Sequence, residues 1–302
     1  ANAAVPSVRQ TNLYSPTATN PPTVASRYYG SAVATSADGS RSVVGESGTT
    51  GIGGEVTVYS CTASGCTTSA SLNALATRTV SITQISITGK KATATTSSAH
   101  GFIPGEKITI AGTGNTSFNV TNKEISDVTN NTISFYANSS DLAATSVSGT
   151  GVVDLAPSAS GFGAAVDISD NGNLVLVGAP NFDVTYYQYT NYSTGSGATV
   201  NRRFGRAYLF EYISGAWALA KVFDRAVPTD LERYGTAVAI SGDGSVSVIT
   251  SNKNSGSVSN TAEVHVNTPN PSASPGPSGT PVIYSSWVLQ QTINTTTGAD
   301  VD

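Results

Sequence analysis

Apolar and polar residues alternate along a segment that occurs three times in the chain. Its copies are YGSAVATSADGSRSVVG from Tyr29, FGAAVDISDNGNLVLVG from Phe162 and YGTAVAISGDGSVSVIT from Tyr234. They align without a gap, each with an aromatic residue and Gly, then Ala-Val, then Asp-Gly or Asn-Gly. Alternation predicts half-buried strands, and Asp-Gly or Asn-Gly between two such runs predicts a tight turn. Each segment is therefore predicted to form a β-hairpin.

Two further strand-like runs follow each hairpin. The third runs are 54–60, 205–212 and 262–268, and the fourth are 68–75, 216–223 and 286–293. Four short antiparallel strands in repetition are typical of propeller blades. A sandwich of hairpins is the other interpretation, and the three ungapped copies favour the propeller.

The spacing of the copies predicts an insertion. The interval from Tyr29 to Phe162 is nearly twice that from Phe162 to Tyr234. Period-two strand patterns with turns between them fill the extra length, which predicts a small β-barrel or sandwich carried on a blade. We therefore expect an all-β protein with an orphan strand and first blade in 1–76, an inserted domain in 77–153, and two blades in 154–302.

Composition narrows the classes of function. Charged residues make up 11% of the chain and its net charge is −4, whereas nucleic-acid binding needs a basic face to neutralise phosphates. No apolar run has the length of a membrane span, and no signal-peptide pattern is present. The uncharged polar residues that replace the charges predict a secreted or surface-exposed protein.

Covalent features also favour an extracellular location. Cys61 and Cys66 are close enough for a local disulfide, with free thiols and a metal site as less favoured alternatives. Asn-X-Ser/Thr acceptors for N-glycosylation occur at Asn115, Asn119, Asn130, Asn138, Asn191 and Asn294. The Pro- and Ser-rich run 267–281 is typical of an extended, O-glycosylated segment or of a loop.

The repeats resemble a known family. Phe162-Gly163 with Val177-Gly178-Ala179-Pro180 is similar to FG-GAP repeats, the blades of integrin α-subunit-type propellers. In those blades the hairpin loop often carries a calcium cage with several carboxylates. Here Leu174 stands where the closing carboxylate is expected, so we expect no calcium, and Asp38 and Asp243 are interpreted as turn formers. The insertion, with AHGFIPGEKITIAG at 99–112, resembles a small β module of phage, viral and bacterial surface proteins.

Catalytic motifs are missing from the sequence. Gly-x-Ser-x-Gly, His-Glu-x-x-His and Walker-type loops do not occur. Of the two histidines, His100 is interpreted as a turn residue bonded to nearby backbone, and His265 lies in a predicted strand. Arg202, Arg203 and Arg206 could clamp a carboxylate, but a solvated cluster at a strand start is favoured. We therefore expect neither enzymatic activity nor a cofactor.

A tyrosine-rich segment is the candidate binding site. The predicted loop 181–205 contains Tyr186, Tyr187, Tyr189 and Tyr192 and ends near Arg202 and Arg203. Tyr and Arg dominate interface hot spots, and long loops inside compact domains are usually functional. The alternative is that these tyrosines cover the neighbouring insertion.

The blade count leads to a hypothesis about function. Three blades and an orphan strand at 7–17 do not close a propeller, which has four to eight blades. Either the chain is a fragment or neighbouring subunits complete one another. We therefore expect an extracellular structural or adhesive protein, a self-associating subunit of a filament, coat or fibre. The alternative is a carbohydrate- or protein-binding receptor module that uses the tyrosine-rich loop.

Overall fold

A computed structural model describes residues 28–48, 54–73, 77–98, 100, 102–154, 161–225, 231–252, 260–268 and 286–294. The first repeat forms a four-stranded antiparallel sheet, blade 1, whose strands are hydrogen-bonded in chain order. Its strands are β1 (Tyr29–Thr35), β2 (Arg41–Glu46), β3 (Glu55–Thr62) and β4 (Gly65–Leu72). The predicted orphan strand at 7–17 and most of the Pro-rich run, 269–281, lie outside the described residues.

The next six strands close into a barrel in the order β10-β5-β6-β9-β8-β7. They are β5 (Thr77–Thr88), β6 (Lys91–Thr96), β7 (Lys107–Ala111), β8 (Val120–Val128), β9 (Thr132–Tyr136) and β10 (Leu142–Asp154). A short 3₁₀ turn, Thr116–Phe118, precedes β8. The barrel has a core of its own, rich in isoleucine. Its first and last strands pair, with Thr77 opposite Asp154, so the chain leaves the barrel where it enters it.

The second and third repeats form blades 2 and 3. Their strands and an intervening hairpin are β11 (Ala165–Ile168), β12 (Leu174–Ala179), β13 (Asp183–Asn191), β14 (Ser196–Arg203), β15 (Arg206–Ile213), β16 (Ala216–Phe223), β17 (Ala237–Ile240), β18 (Val246–Ser251), β19 (Thr261–Thr268) and β20 (Ser286–Asn294). Blade 2 has the order β11-β12-β15-β16 and blade 3 the order β17-β18-β19-β20. The predicted all-β class, with four-stranded antiparallel sheets and an inserted barrel, is confirmed.

The three hairpin turns share one hydrogen-bond pattern. In blade 1, Oδ1 of Asp38 accepts from the Ser40 N–H at 2.9 Å and from the Ser36 hydroxyl at 2.7 Å. Oγ of Ser36 in turn accepts from the Arg41 N–H at 3.0 Å. The same bonds recur around Ser169 and Asn171 in blade 2, and around Ser241 and Asp243 in blade 3. The prediction that Asp38 and Asp243 form turns is confirmed.

Each blade packs one face onto the next blade. Val43 and Val58 of blade 1 share a core with Val175, Val177 and Phe210 of blade 2. The opposite face of blade 2 shares a second core with blade 3, which contains Leu174, Leu176, Leu209, Ile240 and Ile249. Blade 2 is therefore buried on both faces, as the uninterrupted apolar run of β12 requires.

Glycine allows neighbouring blades to approach closely. A Cβ atom at Gly45 would overlap the carbonyl oxygen of Gly163, and one at Gly178 would overlap that of Gly235. The two contacts are equivalent, since Gly45 and Gly178 pair with the Ala of the repeat in β1 and β11. Thr250 holds the same register position in blade 3. Glycine therefore occupies this contact position in blades 1 and 2, whereas blade 3 has threonine there.

A ladder of backbone hydrogen bonds joins the hairpin turns of the blades. The Ala37 N–H of blade 1 donates to the carbonyl of Asp170 in blade 2 at 3.1 Å. The Asp170 N–H donates to the carbonyl of Gly242 in blade 3 at 2.9 Å. The ladder therefore has a direction, with each blade donating to the next one along the chain.

Candidate functional site

The tyrosine-rich segment is a β-hairpin rather than a loop. Its strands β13 and β14 pair antiparallel, with Tyr187 opposite Thr199. The prediction of a loop over 181–205 is wrong, because alternate residues of β13 pack while the others face solvent, the periodicity of a strand. Buried Val184 and Tyr186 share a small core with Phe182 and Phe204.

The tyrosines of this hairpin contact the barrel. The Tyr189 ring stacks on Tyr136 of β9 with a centroid distance of 5.1 Å. The Tyr192 hydroxyl donates to Oδ2 of Asp127 at 2.7 Å, and burial raises the pKa of that hydroxyl. The Tyr187 N–H donates to Oε1 of Glu124 at 2.7 Å. Of the two interpretations of these tyrosines, the contacts support the one in which they cover the insertion.

Arg206 forms a buried ion-pair cluster between the barrel and blade 2. Its guanidinium Nε and Nη2 donate to the two carboxylate oxygens of Asp224 at 2.6 and 2.9 Å. Nη1 donates to Oε1 of Glu106 at 2.7 Å, and the guanidinium lies 4.2 Å from the ring centroid of Phe182. Burial disfavours the charged guanidinium, but the two carboxylates outweigh it and hold the pKa of Arg206 well above its usual value.

This cluster corrects the interpretation of the arginines as a solvated group. Arg206 is fully buried because it starts β15 between two carboxylates, while Arg203 is exposed. The side chain of Arg202 lies outside the described residues. Neither Glu106 nor Asp224 is singled out by sequence, because Glu106 is brought to Arg206 by the barrel and Asp224 by the end of β16.

A second charged cluster lies between blades 2 and 3. Arg225 pairs with Glu232 and donates through Nε to Oε1 of Glu263 at 2.9 Å. The Tyr234 hydroxyl donates to Oε2 of Glu263 at 2.9 Å and lies 2.9 Å from Nε2 of His265. Burial alone would raise the pKa of Glu263, but hydrogen bonds from His265, Tyr234 and Arg225 lower it. The cluster fixes the end of β16 against β19.

His100 is held by backbone groups. Its Nδ1 accepts from the Phe102 N–H at 2.9 Å, and its Nε2 lies 3.1 Å from the carbonyl oxygen of Thr132. The prediction that this histidine bonds nearby backbone is confirmed. His265 lies in β19, so the strand predicted for it is also confirmed.

A cleft of about 810 Å³ opens between the barrel, blade 2 and blade 3. Its barrel wall includes His100 and Asn130, its blade 2 wall is the end of β16, and its blade 3 wall includes Trp287. The Trp287 ring meets the edge of Phe223, with centroids 5.7 Å apart and planes at 80°. Volumes of this size are usual for small-molecule sites, which occur preferentially between domains.

The outer face of blade 3 is apolar and open to solvent. Registers of the sheet place one apolar set on this face: Ala237, Ala239, Val246, Val248, Val264, Val266, Val288 and Ile293. Val288 is 51% exposed and Ile293 50% exposed. In blades 1 and 2 the equivalent face, which carries Gly45 and Gly178, is buried against the next blade. We call this set the open face of blade 3.

The predicted disulfide is present. Cys61 and Cys66 are joined across the turn between β3 and β4, with the two sulfur atoms 2.10 Å apart. The six asparagines of the glycosylation sequences, Asn115, Asn119, Asn130, Asn138, Asn191 and Asn294, are all exposed. Their modification stays a prediction, because exposure is a requirement for a glycan and not a sign of one.

The described ranges contain neither a metal-binding cluster nor a helix that could cross a membrane. Within them, no three His, Cys, Asp or Glu side chains come together as a metal-binding group. None of the helical structure in those ranges has the length and apolar character needed to cross a bilayer.

Comparison with known proteins gives only distant likenesses. No family model and no curated protein matches the chain. Among solved structures, a periplasmic gluconolactonase of Pseudomonas aeruginosa is 12% identical, with a TM-score of 0.22 over 90% of this chain and 87% of that one. The endosialidase of phage phi92 is 11% identical, with a TM-score of 0.23 over 86% of this chain and 48% of that one. The resemblance to FG-GAP repeats therefore stays a prediction.

The comparison corrects one expectation. From the missing motifs we expected that the protein is not an enzyme, whereas the first of these structures is a gluconolactonase. The exclusion of enzymatic activity is therefore wrong as drawn and is withdrawn. A missing sequence motif cannot exclude a site that is assembled from distant strands, as the buried clusters around Arg206 and Glu263 are. TM-scores this low assign no activity to this chain.

Proposed function

We propose that the protein is an extracellular structural subunit whose copies assemble head to tail. The open face of blade 3 in one copy packs onto blade 1 of the next copy. Contacts between two different surfaces repeat, so they generate a ring or an open filament. The disulfide and the low charge content support an extracellular location.

The open face of blade 3 is the observation that carries the proposal. Contiguous exposed apolar surface on a soluble protein marks an interaction site. The same face of blades 1 and 2 is covered by a following blade of the same chain. A surface built like the receiving side of those blades fits the open face best, and the edge strand β1 of blade 1 offers one on its far side: Val33 is 68% exposed there, while Val44 and Thr57 of the same face are 6% and 2% exposed.

The ladder of backbone hydrogen bonds between the hairpin turns ends in a donor on blade 3 and an acceptor on blade 1, which could pair between copies. In the described part of the chain, the Gly242 N–H of blade 3 and the Ala37 carbonyl of blade 1 are the positions at which the ladder stops. A following copy would bring its Ala37 carbonyl to the Gly242 N–H, with the same direction as the two bonds inside the chain.

Thr250 makes the contact between copies looser than those within the chain. It stands where Gly45 and Gly178 let the next backbone approach. The Thr250 side chain would meet the backbone around Gly30, the glycine equivalent to Gly163 and Gly235. The joint therefore forms reversibly, and Thr250 limits its strength.

The test is the assembly state of the full chain. Mass photometry and sedimentation would be measured over a concentration series, with electron microscopy of the concentrated protein. Val248→Lys places a charge on the open face and should abolish association, whereas Thr250→Gly should strengthen it. Ala218→Lys, on an exposed position of β16, is the matched control and should leave association unchanged.

Concentration-dependent rings or fibres that are lost in Val248→Lys and gained in Thr250→Gly support the proposal. A wild-type protein that stays monomeric at all concentrations overturns it. Assembly that Val248→Lys leaves intact overturns it too, because another surface would then be responsible.

A further inference from the structure

We propose that the cleft between the barrel, blade 2 and blade 3 binds a neutral oligosaccharide. The inference is independent of assembly through the open face. Trp287 and Val288 are consecutive residues of β20, so they lie on opposite faces of blade 3. Trp287 packs on the blade 2 side and lines the cleft, whereas Val288 belongs to the open face.

Aromatic groups provide the platform. Trp287 is half-buried, and its ring is fixed by the edge contact with Phe223. The Phe223 ring is itself held by His265, with centroids 4.8 Å apart. Tyr186 lines the hairpin side of the cleft and is 5% exposed. A rigid, partly exposed indole that lines a cleft is suited to the apolar face of a sugar ring, because both surfaces are flat and bind through apolar contact.

Polar groups at the rim provide hydrogen bonds. Lys221 on β16 and, in protein without a glycan at that site, Asn130 on the barrel are exposed and line the cleft. Between them they offer amide and ammonium donors and an amide acceptor, the set that sugar hydroxyls need. Their positions on opposite walls would orient a chain of sugars along the cleft.

The charges of the walls select for a neutral ligand. The two arginines, Arg206 and Arg225, are paired with carboxylates on both sides: Glu106 and Asp224, and Glu232 and Glu263. Of the charged side chains that line the cleft, Asp224 is thus neutralised by Arg206, and Arg225 by Glu232 and Glu263. The carboxylate of an acidic sugar would therefore find both arginines already paired, whereas the hydroxyl groups of a neutral sugar need only the polar groups at the rim.

The two clusters also make the cleft rigid. Arg206 joins the barrel to blade 2 through buried charge-assisted bonds, and Arg225 joins the end of β16 to blade 3 through Glu263. The three walls are thus fixed to one another before a ligand arrives. Such preorganisation lowers the entropic cost of binding.

The test uses tryptophan fluorescence, since Trp217 and Trp287 are the two tryptophans of the chain. The full-length Trp217→Phe variant leaves Trp287 as the reporter. It would be titrated with cellohexaose, maltohexaose, mannohexaose and chitohexaose, and with hexagalacturonic acid as the acidic comparison. We expect saturable change with at least one neutral sugar and none with the acidic one.

Variants locate the binding. By isothermal titration with the sugar that binds, Trp287→Ala should weaken binding more than about tenfold and Lys221→Ala by about three- to tenfold, in the range of single contacts at binding sites. Trp217→Phe is the matched control and should bind as the wild type does. Far-ultraviolet circular dichroism and the unfolding midpoint would show that each variant is folded.

Three results would overturn the inference. They are failure of all four neutral hexasaccharides to bind at millimolar concentration, binding that folded Trp287→Ala retains, and preference for hexagalacturonic acid. None of them bears on the assembly of copies, which Val248→Lys tests separately.

Discussion

The Arg206 guanidinium donates to the Glu106 carboxylate at 2.7 Å across the junction of the barrel and blade 2, and both side chains are buried. The two residues are 100 positions apart in the chain. The ion pair thereby fixes β7, the barrel strand that begins just after Glu106, to β15 of blade 2. This pair, with Asp224, sets how firmly the inserted barrel is held.

Replacing Arg206 should destabilise the protein strongly. Arg206→Met leaves Asp224 and Glu106 buried without their cation, which we expect to lower the free energy of unfolding by about 3–5 kcal/mol. Urea unfolding followed by tryptophan fluorescence measures the change. Lys107→Met, at an exposed position, is the control and should shift stability by less than about 0.5 kcal/mol. Loss of under about 1 kcal/mol in Arg206→Met would contradict the role of the cluster.

The glycines between blades should not tolerate a side chain. Gly45→Ala and Gly178→Ala place a Cβ against the next blade's backbone, and each should cost about 1–3 kcal/mol by overpacking. Gly195→Ala is the comparison, because its Cβ would meet open space and only its φ of +73° opposes the change. Thermal unfolding measures all three. Equal losses in the three variants would show that the blades can separate to accept a methyl group.

Acid should weaken the hairpin turns of blades 1 and 3. Hydrogen bonds from Ser40 and Ser36 lower the pKa of Asp38 to about 2, and those from Ser241 and Ser245 lower that of Asp243 to about 2. A carboxyl with a folded pKa below its unfolded value of 3.8 contributes stability above that value. The contribution is lost as the pH falls from about 4 to about 2.

Asn171 shows how to test that pH dependence, because it makes the same turn in blade 2 without titrating. The double variant Asp38→Asn with Asp243→Asn should keep the turns and flatten the fall of the unfolding midpoint between pH 4 and 2. The measurement is the midpoint of thermal unfolding over a pH series. A slope equal to that of the wild type would assign the acid sensitivity to other carboxyls.

The disulfide should give modest stability. Cys61 and Cys66 are five positions apart, so their bond restrains a short loop of the unfolded chain. In the chain-entropy description this is about 2 kcal/mol, and the double variant Cys61→Ser with Cys66→Ser should lose about that much. Urea unfolding of the variant is compared with the wild type, and a reducing agent should affect the wild type alone. A loss above about 4 kcal/mol would mean that blade 1 depends on the bond for folding.

Local sequence patterns predicted the hairpins of the blades, whereas other features depend on contacts between residues far apart in the chain. Asp38-Gly39 and its two counterparts revealed the hairpins because a short Asp-Gly or Asn-Gly turn is encoded by the residues that form it. The sixth barrel strand, β10, gave no such signal. It is rich in small residues, and Gly151 lies against Ile82 and Ile108, where the barrel core leaves little room. A strand whose residues are small because of its neighbours cannot be recognised from its own sequence.

The site shows the same division. The tyrosines at 186, 187, 189 and 192 stood out by residue type, but their contacts with the barrel depend on where the barrel lies. Trp287 and Asp224 gave no signal, because the cleft and the cluster exist only once blade 3 and the end of β16 meet the barrel. The residue types predicted which side chains make strong contacts, whereas the tertiary structure determines which residues they contact.

The pairing of Thr77 with Asp154 brings the two ends of the barrel next to each other. For the connection from blade 1 to blade 2, the length of the barrel is immaterial, because this pairing returns the chain to its starting point. Another module with adjacent ends could therefore replace the barrel. The exchange carries one condition, since a replacement without a carboxylate in the place of Glu106 would leave Arg206 with one of its two partners.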